Sequence, residues 1–209
     1  MQKISLLIFT CFLSGCSFLS QDEILPLYTL KSGNVEPRRI LSKSLAINIP
    51  LGEASLDTER IALTPSPYER DYLADGQWPD RLPKIMQEAL VEGLSERWGG
   101  TYVSRSGTGL QEDYLLQTEI QDFSVHHLKT ERPEVRLKIA FKVINLRKRT
   151  VLVGHVFSVK EPVCSLAMKG IVEAFNKGFH LLLQEAMPWV ENAVLKESGL
   201  NSRNDKLSR

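Results

Sequence analysis

The sequence predicts an α+β fold, a largely antiparallel sheet with two amphipathic helices packed on one face. Three observations carry that expectation. Val135, Leu137, Ile139, Phe141 and Val143 alternate with Arg136, Lys138 and Lys142, the period of a half-buried strand. Leu82, Ile85, Met86, Ala89, Leu90, Gly93, Leu94 and Trp98 recur at helical spacing, one apolar stripe that must pack on another element. A second such stripe, from Met168 through Phe175, Phe179 and Leu182 to Ala193, follows the last strand pattern. Strands joined by hairpins are antiparallel neighbours, which sets the expected sheet type.

In chain order, Leu27–Leu30 reads as a short first strand. Leu45–Ile49 alternates until Pro50, and Arg60–Leu63 is a strand ended by Pro65 and Pro67. Tyr68 to Trp78 reads as a loop rich in acidic and aromatic residues. The first helix starts behind Pro79 and Asp80, where a helix tolerates proline and favours an anion, and Gly99-Gly100 stops it. Tyr102-Val103 begins a new strand. Tyr114 to Val125 is a long one whose apolar parity changes between Ile120 and Phe123, so a bulge or bend is expected there. Asn145–Arg149 is the turn of the clearest hairpin, returning through Val151–Val159 to Pro162. Ser165 is the expected N-cap of the last helix, and Pro188 should kink or divide that helix.

The amino terminus sets the compartment. Met1-Gln2-Lys3, the apolar run Ile4–Leu13 and small residues give a secretory signal peptide, too short to span a bilayer at roughly 20 apolar residues. Leu13-Ser14-Gly15-Cys16 resembles the bacterial lipobox, in which the cysteine is acylated and becomes the first residue. The expected organisation is residues 1–15 as signal peptide, 16–26 as lipidated N-terminus and linker, 27–198 as one domain and 199–209 as a disordered tail. Ser17, a non-aspartate after Cys16, points to the outer membrane, with the domain facing the periplasm.

Composition narrows the function. A 43% hydrophobic fraction supports a core, and a net charge of +1 gives no electrostatic case for nucleic acid. Of the three cysteines, Cys11 leaves with the signal and Cys16 carries lipid. Cys164 then has no disulfide partner within the mature chain and reads as a small hydrophobe. His126 and His127 are adjacent in a strand and point to opposite faces, so they do not readily share a metal ion. No phosphate-binding glycine loop and no G-x-S-x-G elbow is present, and the expected catalytic, metal and cofactor sets are empty.

Tyr28-Thr29-Leu30, Ile47-Asn48-Ile49-Pro50, Leu56-Asp57-Thr58-Glu59-Arg60-Ile61-Ala62 and Trp78-Pro79-Asp80-Arg81-Leu82-Pro83 occur in that order. This series resembles the ABC-type transport auxiliary lipoproteins, the PqiC-like family, over Tyr28 to about Val194. The resemblance implies a non-enzymatic outer-membrane lipoprotein, anchored by acyl chains such as palmitate. It would assist an ABC or Mce-type system that moves lipid between membranes, with Mce-domain and ABC transporter subunits as partners. A homo-oligomer stays open, and so does an outer-membrane assembly or structural role unrelated to lipid. Two surfaces are candidates for partner binding. The segment with Tyr68, Tyr72 and Trp78 is preferred, because aromatic residues dominate hot spots. The sheet face with Arg136 and Lys138 is the other. Arg147-Lys148-Arg149 reads first as a solvated turn and second as a site for anionic head groups.

Overall fold

A computed structural model describes residues 25–33, 43–98, 102–109, 111–126 and 132–199. Cys16 and the signal peptide, the Gly99-Gly100 stop, His127 and the tail beyond Gly199 lie outside the described residues.

The architecture is α+β, as the hydrophobic periods require. Its spine is β6 (Tyr114–His126), whose inward residues Tyr114, Leu116, Ile120, Phe123 and Val125 are buried. Along one side β6 pairs with β7 (Glu134–Asn145), and β7 pairs with β8 (Thr150–Pro162), both antiparallel. The register slips between Ile120 and Asp122, where the apolar parity changes. Along its other side β6 takes three short strands in succession, all parallel. These are β1 (Leu45–Ile47) at Tyr114–Leu116, β2 (Leu51–Gly52) at Glu119–Ile120 and β3 (Arg60–Ser66) at Val125–His126. β5 (Val103–Arg105) extends the sheet beyond β1, and β4 (Glu69–Gln77) beyond β3. The long ladders are therefore antiparallel, and the early strands join by parallel crossovers.

Two helices cover the inner face. α1 (Leu82–Trp98) packs near β1 and β5, and α2 (Met168–Glu197) lies on β7 and β8. The α1 stripe from Leu82 to Trp98 is buried as its spacing predicts. Between α2 and the sheet, Phe123 stacks on Phe175 at 5.0 Å, and Trp78 meets Phe175 edge-on at 5.6 Å. The helices are fastened to one another by Arg97 and Glu191, both buried. Nε of Arg97 donates to Oε2 of Glu191 at 2.9 Å, and Nη2 stands 2.7 Å from the same oxygen without hydrogen-bond geometry.

Several expectations are corrected. Tyr68–Trp78 is not a loop: after the turn at Pro67-Tyr68 it is β4, paired with β3. Its residues Glu-Arg-Asp-Tyr-Leu-Ala-Asp-Gly-Gln lack an apolar alternation because this edge strand fully buries only Gly76 and so commits neither face to the core. Pro65 does not end β3. It sits where the ladder to β4 shifts register, between Leu63 and Ser66, so its missing N–H interrupts no regular pair. Leu27–Leu30 contributes a single parallel bridge, Leu27 to Gln77, and no strand. The last helix is capped at Ala167 rather than Ser165, whose Oγ accepts from the Ala167 amide at 3.3 Å ahead of the first turn. α2 also runs on through Pro188 undivided, because its packing outweighs the one lost hydrogen bond.

Candidate functional site

The aromatic segment does not form one surface. Tyr68 stands at the tip of the β3–β4 hairpin and is fully exposed. Tyr72 is half-buried, its hydroxyl donates to the Ser55 carbonyl at 3.1 Å, and the Arg60 guanidinium lies 4.0 Å over its ring. Trp78 is 1% exposed and belongs to the aromatic core, since the residue linking β4 to α1 must turn inward between sheet and helix. Trp78 is therefore withdrawn as a partner contact.

The outer sheet face is arranged differently. Inward residues of β7 pack under α2, so strand alternation turns Arg136, Lys138 and Lys142 outward. Register sets Lys160 of β8 opposite Arg136, Ser158 opposite Lys138, Val156 opposite Ala140 and Gly154 opposite Lys142. Nε of Arg136 donates to Glu134 at 2.6 Å. Lys138, Lys142 and Lys160 are exposed and enter no ion pair among the described residues. β8 pairs only with β7 among the described residues, so its outer backbone edge is open. Between Thr150 and Val159 that edge carries no Asp, Glu, Lys or Arg side chain. Sequence reading marked the lysines, but it could not mark the edge, which depends on strand order.

A polar cluster that the sequence reading missed lies on β6. Asp122, Ser124 and His126 are spaced two apart and share a face. Ser124 donates to Asp122 Oδ1 at 2.6 Å; His126 Nε2 lies 2.9 Å from Asp122 Oδ2 and 3.1 Å from Ser124 Oγ. A catalytic relay needs the serine at one ring nitrogen and the carboxylate at the other. Here both meet Nε2, and the serine proton already serves the carboxylate. Ser124 is fully buried, Thr64 approaches it at 3.0 Å, and Arg70 donates to Thr64 at 3.0 Å. The cluster ties β3, β4 and β6 together. No group of three or more His, Cys, Asp or Glu residues is placed to hold a metal ion among the described residues.

The basic turn is largely neutralised. Arg147 meets Asp113 at 2.9 Å, and Lys148 donates to Glu197 at 2.6 Å, closing the β7–β8 turn onto the end of α2. The hydrogen bond from Lys148 holds Glu197 below its ordinary value, and the same contact raises Lys148. These side chains line a cavity of about 210 Å³ with Lys43, Tyr114 and Asn145. Burial, then the charges of Glu197 and Asp113, pushes the Tyr114 phenol up.

The start of the domain is stapled down. The Lys31 amide donates to Asn176 Oδ1 at 2.8 Å, and Asn176 Nδ2 donates to the Thr29 carbonyl at 3.1 Å. His180 Nδ1 meets the Ser32 carbonyl at 3.1 Å. Gly33 has φ +76°, and a Cβ there would lie 2.1 Å from that imidazole. Gly76 of β4 likewise leaves room for the Tyr28 ring, which a Cβ would meet at 2.6 Å. The segment thus runs along α2 from near Met168 to His180.

The pattern defining ABC-type transport auxiliary lipoprotein components matches residues 28–186. The crystal structure of protein XCC0632 from Xanthomonas campestris is similar at a TM-score of 0.76 and 18% identity, covering 83% of this chain and 99% of that one. A second crystal structure, of an uncharacterized protein, gives a TM-score of 0.61 at 15% identity over 81% of this chain and 99% of that one. These likenesses show the fold. An uncharacterized protein of Bradyrhizobium diazoefficiens, bll6063, is 26% identical over 156 residues. That stretch is 75% of this chain and 41% of the relative, so the chain spans well under half of that protein.

Proposed function

Because this chain belongs to the family of ABC-type transport auxiliary lipoprotein components, we propose that it is a non-catalytic accessory subunit, held at the outer membrane by acylated Cys16. It binds the periplasmic part of an ABC or Mce-type lipid transporter. The observation that carries the binding role is the basic outer face of β7 and β8. Lys138, Lys142 and Lys160 are exposed there without ion-pair partners among the described residues, beside an open strand edge. Unpaired lysines steer an acidic partner and set its orientation, and an open edge offers backbone hydrogen bonds to an added strand. This moves the preferred surface from the aromatic segment to the sheet face. Of the three aromatics only Tyr68 is bare; Tyr72 is engaged and Trp78 is core.

Pull-down of transporter subunits from detergent-solubilised envelopes tests the reading. Lys138→Glu with Lys142→Glu should abolish capture while leaving the unfolding midpoint unchanged, and Tyr72→Ala should leave capture intact. Capture of an assembly complex free of ATPase, permease and Mce-domain subunits would instead support the structural-lipoprotein role.

A further inference from the structure

We infer that one end of the domain lies in the membrane interface, with Tyr68 and Leu166 immersed at the boundary between head groups and acyl chains. The inference rests on the lipidated Cys16 of the proposed function and adds which end of the molecule meets the bilayer and through which residues.

The register places both side chains at one end. β3 runs parallel to β6 and pairs Thr64 with His126, so the hairpin tip at Tyr68 projects past the last residue of β6. His126 is opposite Glu134, and Glu134 is opposite Pro162, so β6, β7 and β8 all reach this end. Leu166 lies in the link from Pro162 to the start of α2. Leu27 lies further back, bridged to Gln77, which pairs with Arg60 at the other end of the β3–β4 hairpin from Tyr68, and its neighbour Tyr28 packs at Gly76 beside Met168, the first residue of α2. Two separate segments, the β3–β4 tip and the link into α2, therefore bring apolar side chains to the same rim. Tyr68 is 100% exposed and Leu166 59%.

Single exposed apolar residues are ordinary. Val151 is as bare, but it lies at the opposite end, where it pairs with Ile144, and Leu51 sits midway along β6 opposite Glu119. What singles out the rim is where the chain leaves. Followed backward from Gly33, the stapled segment passes His180, Asn176 and then Met168, and it reaches Leu25 at this end. Residues 16–24 reach at most about 30 Å when extended. The anchor therefore holds this end close to the lipid, and the rim offers side chains suited to it: a tyrosine with an apolar body and a polar tip, and a leucine.

The native thiol Cys164 is exposed beside Leu166 and gives a probe in place. The lipidated mature protein is reconstituted into vesicles of phosphatidylethanolamine and phosphatidylglycerol, and Cys164 is labelled with a nitroxide. A second preparation carries Cys164→Ser and Thr150→Cys, which places the label at the opposite end. The Cys164 label should relax with dissolved oxygen and be shielded from an aqueous nickel chelate, and the Thr150→Cys label should show the reverse. Tyr68→Ser with Leu166→Ser should lower the ratio of immersed to free Cys164 label by about tenfold. If mass spectrometry shows acylated Cys16 and both labels are equally open to nickel, the rim does not enter the membrane, although the anchor stands. Unacylated Cys16 removes the anchor and the inference with it. Shielding of Cys164 without vesicles, at twice the sedimenting mass, would assign the rim to a second copy and overturn the inference.

Discussion

At the end formed by the β7–β8 turn, charge meets charge inside the molecule. Arg147 takes Asp113, Lys148 takes Glu197, and Arg97 and Glu191 are sealed between the helices nearby. At the end where α2 begins, Tyr68 and Leu166 are left bare. A protein that closes one end with its own counter-charges has no further use for that end as an apolar contact. Bare apolar side chains at the other end are stable only if something outside covers them or if each is tolerated alone. The contrast separates surface that serves the fold from surface that serves an encounter.

The largest test of that contrast is the buried pair. Arg97→Met alone leaves the Glu191 carboxylate buried without a counter-charge and should cost about 3–5 kcal/mol in urea unfolding. Adding Glu191→Leu should restore most of the loss. If the single variant unfolds at the wild-type midpoint, the closed end is not held by charge.

Next in size is the staple. Asn176→Ala removes the acceptor for the Lys31 amide and the donor to Thr29 and should cost about 1–3 kcal/mol. Hydrogen exchange at Lys31 should quicken well before that of α2 itself.

A smaller effect is pH-dependent. Glu197 is held below its ordinary value of 4.5, so its contribution is present above that value and is lost as pH falls through the lowered one. Lys148 is raised above 10.5, so its contribution is present below that value and is lost as pH rises through the raised one. Protection of the Lys148 amide, which donates to Asn145 Oδ1 at 2.9 Å, should therefore fall in acid when its exchange is measured against the intrinsic rate at each pH. Glu197→Gln should flatten that acid response.

The smallest expected change sharpens the comparison from the other side. Tyr68→Ser should move stability by no more than about 0.5 kcal/mol, because the side chain touches nothing that folding buries. A larger loss in thermal melts would mean that the bare end also serves the fold.

Most of the fold could be read from periodicity, because the elements that bury one face announce it. The α1 stripe matches its helix from Leu82 to Trp98, and the parity change after Ile120 locates the bulge. β4 could not be read, since an exposed edge strand is held by backbone pairing that leaves no apolar pattern. The parallel joining of β1, β2 and β3 to β6 was hidden for a related reason: short strands do not specify a neighbour far along the chain. At the candidate surfaces, Lys138 could be placed by alternation alone. Trp78 could not, because an aromatic at a strand–helix junction is written the same way whether it turns in or out.

The staple along α2 also has a mechanical side. If the acyl chains at Cys16 bear load whenever a bound transporter moves, the force enters the domain at Leu25 and runs along the segment toward Gly33. The bonds at Gln77, Asn176 and His180 are strung along that line. Tension along such a line loads them together, in shear, and none is peeled away first. A tether attached at Gly33 and pulled outward would open them one by one. The direction in which the first residues lie on the helix therefore makes the domain a grip as well as a binding surface.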